Sequence, residues 1–256
     1  MSARVAWIAL TPVKATALQH VDEAELLEGG LTGDRRFYFV TEAGRLLSNK
    51  DCGPLQLVRS EYDAAADTLS LRFADGTVVA AAVERDGEVE TSFHRHPRPA
   101  RLVRGPWAEA VSALVGEPVR LVEPARPAPD RGRGGAATLL ATRSLDALAA
   151  QLGVEAVDGR RFRMNFGIEG LEAHGEDGWR GRRVRVGNAV VVPQGNVGRC
   201  VITTQNPDTG LTDLDTLKAL AAYRGGVETT EPLPFGIHAA VAEPGLVRVG
   251  DAVEPL

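Results

Sequence analysis

The sequence predicts a mainly β fold with short helices, an α+β chain. Three observations carry this. Short apolar runs recur at close, regular spacing. Turn dipeptides such as Asp75-Gly76 and Gly187-Asn188 separate them. Helical periodicity is confined to a few short stretches. Strands packed this closely along the chain make a sandwich or barrel, not alternating βαβ units.

In order, Val5 to Leu10 reads as a strand ended by Thr11-Pro12. Residues 21–34 read as a short strand or turn region leading to Gly33-Asp34-Arg35. Phe37 to Val40, the turn Glu42-Ala43-Gly44 and a strand from Arg45 to Ser48 form a hairpin. Leu55–Tyr62, Leu69–Phe73 and Thr77–Val83 are three more strands, with hairpin turns at Asp75-Gly76 and Asp86-Gly87. Trp107 to Val115 is a helix closed by Gly116, and Val119 to Val122 is a strand. Residues 124–135 form a polar loop. Ser144 caps a helix over Leu145–Leu152 that ends at Gly153. Residues 160–168 alternate like a strand, with Arg161, Arg163 and Asn165 on one face and Phe162, Met164 and Phe166 on the other. If the polar face lines a cleft, it is an oxyanion cradle. The run from Val184 to Val192 turns back at Gly187-Asn188 and stops at Pro193. Asp213 to Tyr223 is a helix by its leucine spacing, and residues 245–253 supply the last strands.

Composition narrows the function. The 256 residues are 44% apolar and 25% charged, as in a globular protein with a sizeable core. A net charge of −5 argues against a general nucleic-acid binder. No apolar run reaches the ~18 residues of a membrane span, and no basic-then-apolar leader opens the chain. The two cysteines, Cys52 and Cys200, are too few for a disulfide scaffold and lack zinc-ligand spacing, which fits a cytoplasmic location. His94 and His96 read as part of a solvated loop.

The most informative stretch is residues 193–213. Gly195, Asn196 and Gly198 allow the backbone to turn tightly, Arg199 and Cys200 follow, and Asn206-Pro207-Asp208-Thr209-Gly210 makes a second turn. A thiol with a guanidinium beside it is a candidate anion and metal site, since thiolate is the form that ligates metal. The competing interpretation is a small buried cysteine in a β core.

Pro12-Val13-Lys14, Gly33-Asp34-Arg35, Arg161-Phe162-Arg163-Met164-Asn165, Glu176-Asp177-Gly178-Trp179, Arg199-Cys200 with Thr203-Thr204 and the 206–210 turn, Tyr223-Arg224, Phe235-Gly236 and Val249-Gly250-Asp251 occur in this order. In that order they resemble the MOSC family, named for the C-terminal domain of molybdenum cofactor sulfurases. The resemblance implies an N-terminal β-barrel-like domain, residues 1–95, packed on a MOSC β-barrel domain, residues 105–256. Within the family the chain is most similar to proteins that hold a molybdenum–pterin cofactor and reduce N-hydroxylated compounds. That implies Cys200 as the metal ligand, with Lys14, Arg35, Arg163, Asn165 and Arg199 binding the cofactor. Asp208 or Asp177 would stabilise a protonated intermediate, the alternative being a turn residue or helix cap.

The chain departs from the family pattern in two places. Val197 replaces a cysteine that many relatives carry three residues before the ligand, and Ala15 replaces a serine. With no cysteines to spare for an iron–sulfur cluster, electrons are expected from a separate donor, a ferredoxin, a flavoprotein or a cytochrome b5-like protein. The alternative function is a sulfur carrier with a Cys200 persulfide for cofactor sulfuration. A third is a module that stores or inserts the cofactor without turnover.

Overall fold

The computed structural model describes residues 2–93, 96–126 and 132–256. The strands are β1 (Arg4–Leu10), β2 (Gln19–Val21), β3 (Glu23–Leu27), β4 (Gly30–Leu31), β5 (Tyr38–Thr41), β6 (Arg59–Asp63), β7 (Thr68–Arg72), β8 (Val78–Ala82), β9 (Glu84–Phe93), β10 (His96–Arg104), β11 (Val119–Pro124), β12 (Ala137–Ala141), β13 (Phe166–Glu169), β14 (Val184–Val186), β15 (Ala189–Gly198), β16 (Pro234–Glu243), β17 (Gly245–Arg248) and β18 (Val253–Pro255). Among the described residues, three short helices, α1 (Trp107–Val115), α2 (Thr142–Leu152) and α3 (Thr216–Arg224), complete the regular structure with several one-turn 3-10 segments. The mainly β fold with short helices is as expected.

One sheet has eight strands in the order β18-β14-β15-β16-β12-β13-β1-β2. It curls on itself: Val5 N–H donates to Asp251 O at 2.9 Å and Val253 N–H to Ala3 O at 2.9 Å. Its core joins Val5 and Ile8 to Phe166, Ile168, Val191 and Ile237. A second core gathers Val13, Phe37, Phe39, Leu69 and Leu71 with Trp107, Val111 and Leu121. It lies among β5-β11-β10-β9, β6-β7-β8 and α1. The chain therefore starts in the large sheet and crosses to the second lobe at Pro12. It returns for β2, β3 and β4, then crosses again after Leu31. These crossings carry Lys14, Asp34 and Arg35 to the seam between the lobes.

Several expectations need correction. Asp86-Gly87 is not a hairpin turn: it lies inside β9, where Leu102 faces Asp86 and Arg101 faces Glu88. Gly87, at φ 56°, is the extra residue of a bulge. Residues 53–57 form a 3-10 turn, so the strand expected from Leu55 begins only at Arg59. Ser144 is not a cap but sits in the first turn of α2, where its hydroxyl accepts from His174 N–H at 2.8 Å. Pro193 does not end its strand; β15 continues to Gly198 through register shifts that leave room for a residue without an N–H. The helix expected from Asp213 starts at Thr216, capped by Asp215. The hairpins at 75–76 and 187–188, and α1 with its left-handed Gly116 cap, form as expected. His94 and residues 127–131 of the polar loop lie outside the described residues.

Candidate functional site

A cavity of about 450 Å³ opens along the seam. Lys14, Arg35, Arg163, Asn165, Arg199 and Cys200 all line it. They come from the first crossing, the second crossing, the lead into β13 and the end of β15. Asp34, Thr138 and Arg161 add polar groups, and Leu31, Phe162, Met164, Val197 and Ile202 add apolar wall.

Hydrogen bonds between distant segments build the cationic side. Arg35 Nη2 donates to Arg163 O at 2.8 Å, and Arg163 Nη2 donates to Thr16 O at 2.7 Å. Each guanidinium thus straps a neighbouring segment as well as facing the cavity. Asp34 organises the group: its carboxylate accepts from Thr11 N–H at 2.9 Å, from Asn165 Nδ2 at 2.9 Å and from Arg35 Nη1. Asn165 also donates to Ala9 O and accepts from Thr138 Oγ1. Under the Lys14 bend, the hydroxyls of Thr11, Thr16 and Ser60 form a closed triangle of 2.7–3.2 Å contacts.

Backbone strain concentrates here. Six described non-glycine residues have positive φ, and three of them, Ala15 (75°), Arg35 (48°) and Arg163 (53°), sit at or beside the cavity. A left-handed L-residue costs roughly 1–2 kcal/mol, and such strain tends to cluster at functional sites. Arg163 also corrects the expected alternation of residues 160–168. Gly159–Phe162 is a 3-10 turn, Arg163 is its left-handed cap, and extended pairing starts only at Phe166. As a result Arg161, Phe162, Arg163, Met164 and Asn165 all reach the cavity.

Arg199 and Cys200 leave β15 together. The Arg199 guanidinium donates to Phe235 O, to Phe162 O at 2.9 Å and to Met164 Sδ at 2.9 Å, and lies 5.3 Å from the Phe162 ring centroid. It holds the strand end against the wall. Cys200 is half-buried and precedes a 3-10 turn, Val201–Thr204. Arg161, itself buried, grips the following segment through a bidentate pair with Asp213 at 2.7 and 2.8 Å, which holds that carboxyl below its usual range.

The structure does not bring Asp208 to the cavity. Its exposed carboxylate takes a bidentate pair from Arg160 at 2.9 and 2.8 Å, which lowers its pKa. Asp177 is likewise elsewhere, accepting from Asn196 Nδ2 at 2.7 Å and from Arg224 at 2.5 Å. Beside it Glu176 is fully buried, and neither carboxyl oxygen reaches a hydrogen-bond partner in the protein. Burial pushes its pKa up to about 7. Burial and the Arg224 charge push His174 down to about 4. Asp34 and Thr138 were missed as individual residues. Asp34 had a signal in its place beside Arg35; Thr138, inside an apolar strand, had none.

The cavity lies between two recognisable units. Residues 2–115 match the MOSC N-terminal beta barrel domain and residues 130–254 match the MOSC domain. The chain belongs to the MOSC family. It is 33% identical over 121 residues to mitochondrial amidoxime-reducing component 1 of Mus musculus, covering 45% of this chain and 35% of that one. It is 36% identical over 98 residues to mitochondrial amidoxime reducing component 2 of Homo sapiens, covering 36% and 29%. The chain thus spans about a third of the length of these curated relatives. The solved YUAD protein from Bacillus subtilis aligns over 99% of this chain and 94% of its own, at 11% identity and a TM-score of 0.47. No helix among the described residues is long and apolar enough to cross a membrane.

Proposed function

We propose that this protein binds a molybdenum–pterin cofactor in the seam cavity and reduces N-hydroxylated small molecules with electrons from a separate donor protein. One observation carries the reading: six residues scattered from Lys14 to Cys200 line one cavity, a single thiol with cationic side chains around it. The donor set suits the group. Thiolate is a soft ligand appropriate to molybdenum, and arginine and lysine are the donors a phosphate takes. A volume of about 450 Å³ is in the range of cofactor sites. The amidoxime-reducing names of the curated relatives point the same way.

Cys200 would hold the metal, and Lys14, Arg35 and Arg163 the phosphate end. Asn165, fixed by Asp34, Ala9 and Thr138, would face the pterin. The bound group supplies the two-electron redox step. Overall, N–OH becomes N–H, taking two electrons and two protons and releasing water. The chain's own part is to bind, orient and clamp. Arg199 keeps the Cys200 backbone against Phe162 and Phe235, and Asp34 keeps Arg35 and Asn165 in register. Asp208, held ionised by Arg160 outside the cavity, takes no proton step in this scheme.

The test is benzamidoxime reduction with an artificial donor by protein expressed with cofactor supply. Turnover by the wild type, lost in Cys200→Ala and reduced at least tenfold in Arg163→Ala, supports the proposal. Absence of turnover, together with a cyanide-labile sulfur on metal-free protein, overturns it in favour of a sulfur carrier.

A further inference from the structure

A chain of side-chain amides joins the two sides of the cavity. Asn49, 2% exposed, donates from Nδ2 to Ala15 O at 2.7 Å. Its own carbonyl accepts from Gln205 Nε2 at 2.9 Å. Gln205 Oε1 accepts from Gln56 Nε2 at 2.9 Å, and Gln56 is 3% exposed. One end of the chain is the left-handed residue directly after Lys14. The other is the residue that closes the 3-10 turn begun at Cys200. Beside it the two lobes touch backbone to backbone. A Cβ on Gly53 would lie 2.1 Å from Gly210 O, and one on Gly210 would lie 2.6 Å from Gly53 C.

The geometry points to Asn49 and Gln205 as positioning residues that set the distance between the Lys14 bend and Cys200, with the Gly53–Gly210 contact as the stop. Buried amides are costly unless paired, and apolar side chains would fill the same space more cheaply. What these amides add is direction: each link fixes one segment against another. The contact between glycines stops the lobes approaching further, and the amide chain stops them parting. In the proposed function this spacing would separate the phosphate-holding bend from the metal-holding thiol, and the inference rests on that reading for its purpose but not for its mechanics.

The mechanics are tested on cofactor-free protein in a Cys52→Ser background. Gln205→Glu keeps an acceptor for Gln56 but cannot donate to Asn49 O. Gln56→Leu leaves the Gln205–Asn49–Ala15 links intact. Gln205→Glu is expected to speed amide hydrogen exchange in residues 13–17 about fivefold, and iodoacetamide alkylation of Cys200 by a similar factor. Gln56→Leu is expected to leave exchange in residues 13–17 unchanged. Asn49→Asp, which loses the donor to Ala15 O, reproduces the exchange effect. A general loosening of the seam would move both segments in all three variants alike, and that result, or no change in any, overturns the inference. With cofactor supplied, Gln205→Glu should lose molybdenum on gel filtration about tenfold faster than wild type. If wild type holds no molybdenum the proposed function fails, while the exchange result still decides the spacing role.

Discussion

Glu176→Gln should make the protein more stable at pH 8 and leave it nearly unchanged at pH 4.5. Glu176 is fully buried in the 3-10 turn Gly175–Trp179, and neither oxygen has a partner. Burial is the main cause of its raised pKa and the neighbouring Asp177 carboxylate adds to it; Arg224 and nearby backbone N–H groups pull partly the other way. The folded-state value is about 7, against an ordinary 4.5. The folded protein therefore holds a proton that the unfolded chain releases between these values. The stability tied to this group is fully present below pH 4.5, falls as pH rises through 7, and is level above that. Each tenfold step costs about 1.4 kcal/mol, so the full loss is on the order of 3 kcal/mol. Glutamine cannot ionise and removes that dependence. His174, lowered from 6.5 to about 4, contributes in the opposite sense, since its stabilisation is lost as pH falls from 6.5 to 4; that contribution is common to both proteins and cancels in their difference. The assay is urea unfolding of both proteins at pH 5, 6, 7 and 8. Their stability difference should grow with pH by about 2–3 kcal/mol. A difference that does not change with pH refutes the reasoning.

Two further outcomes follow from the seam. Gly53→Ala drives a methyl into Gly210 O and should cost about 2 kcal/mol or more, read as a lower urea midpoint; full wild-type stability would mean that the lobes separate freely. Asp208→Asn breaks an exposed pair with Arg160 outside the cavity. It should leave benzamidoxime turnover within about twofold and stability within about 1 kcal/mol; a tenfold loss of turnover would return Asp208 to the reaction.

Features set by neighbours in sequence were legible from it. Gly187-Asn188 joins β14 to β15 as a two-residue turn, and Gly116 closes α1, because turn and cap conformations depend on local residues. Residues 160–165 were not legible. Their alternation looks like a strand, but Arg35 and Arg199 donate to the carbonyls of Arg163 and Phe162 and hold the backbone in a tight turn. Asp-Gly at 86–87 carries a hairpin signal, yet β9 and β10 pair continuously past it and absorb it as a bulge. Arg199 and Cys200 stand out in sequence as a guanidinium beside a thiol, and Arg163 and Asn165 by their shared face, whereas Lys14 and Arg35 are reached only through motif order, which no local propensity explains. The organising role of Asp34 and the amide chain stayed hidden because their partners lie 131 to 156 positions away.

In the proposed function Cys200 and the cationic wall together hold one metal-bearing cofactor. Metal analysis of protein purified after expression with cofactor supply tests it most directly. The wild type should carry close to one molybdenum per chain, and Cys200→Ala should fall to near background with the fold retained. Equal molybdenum in both proteins, or none in either, would contradict it.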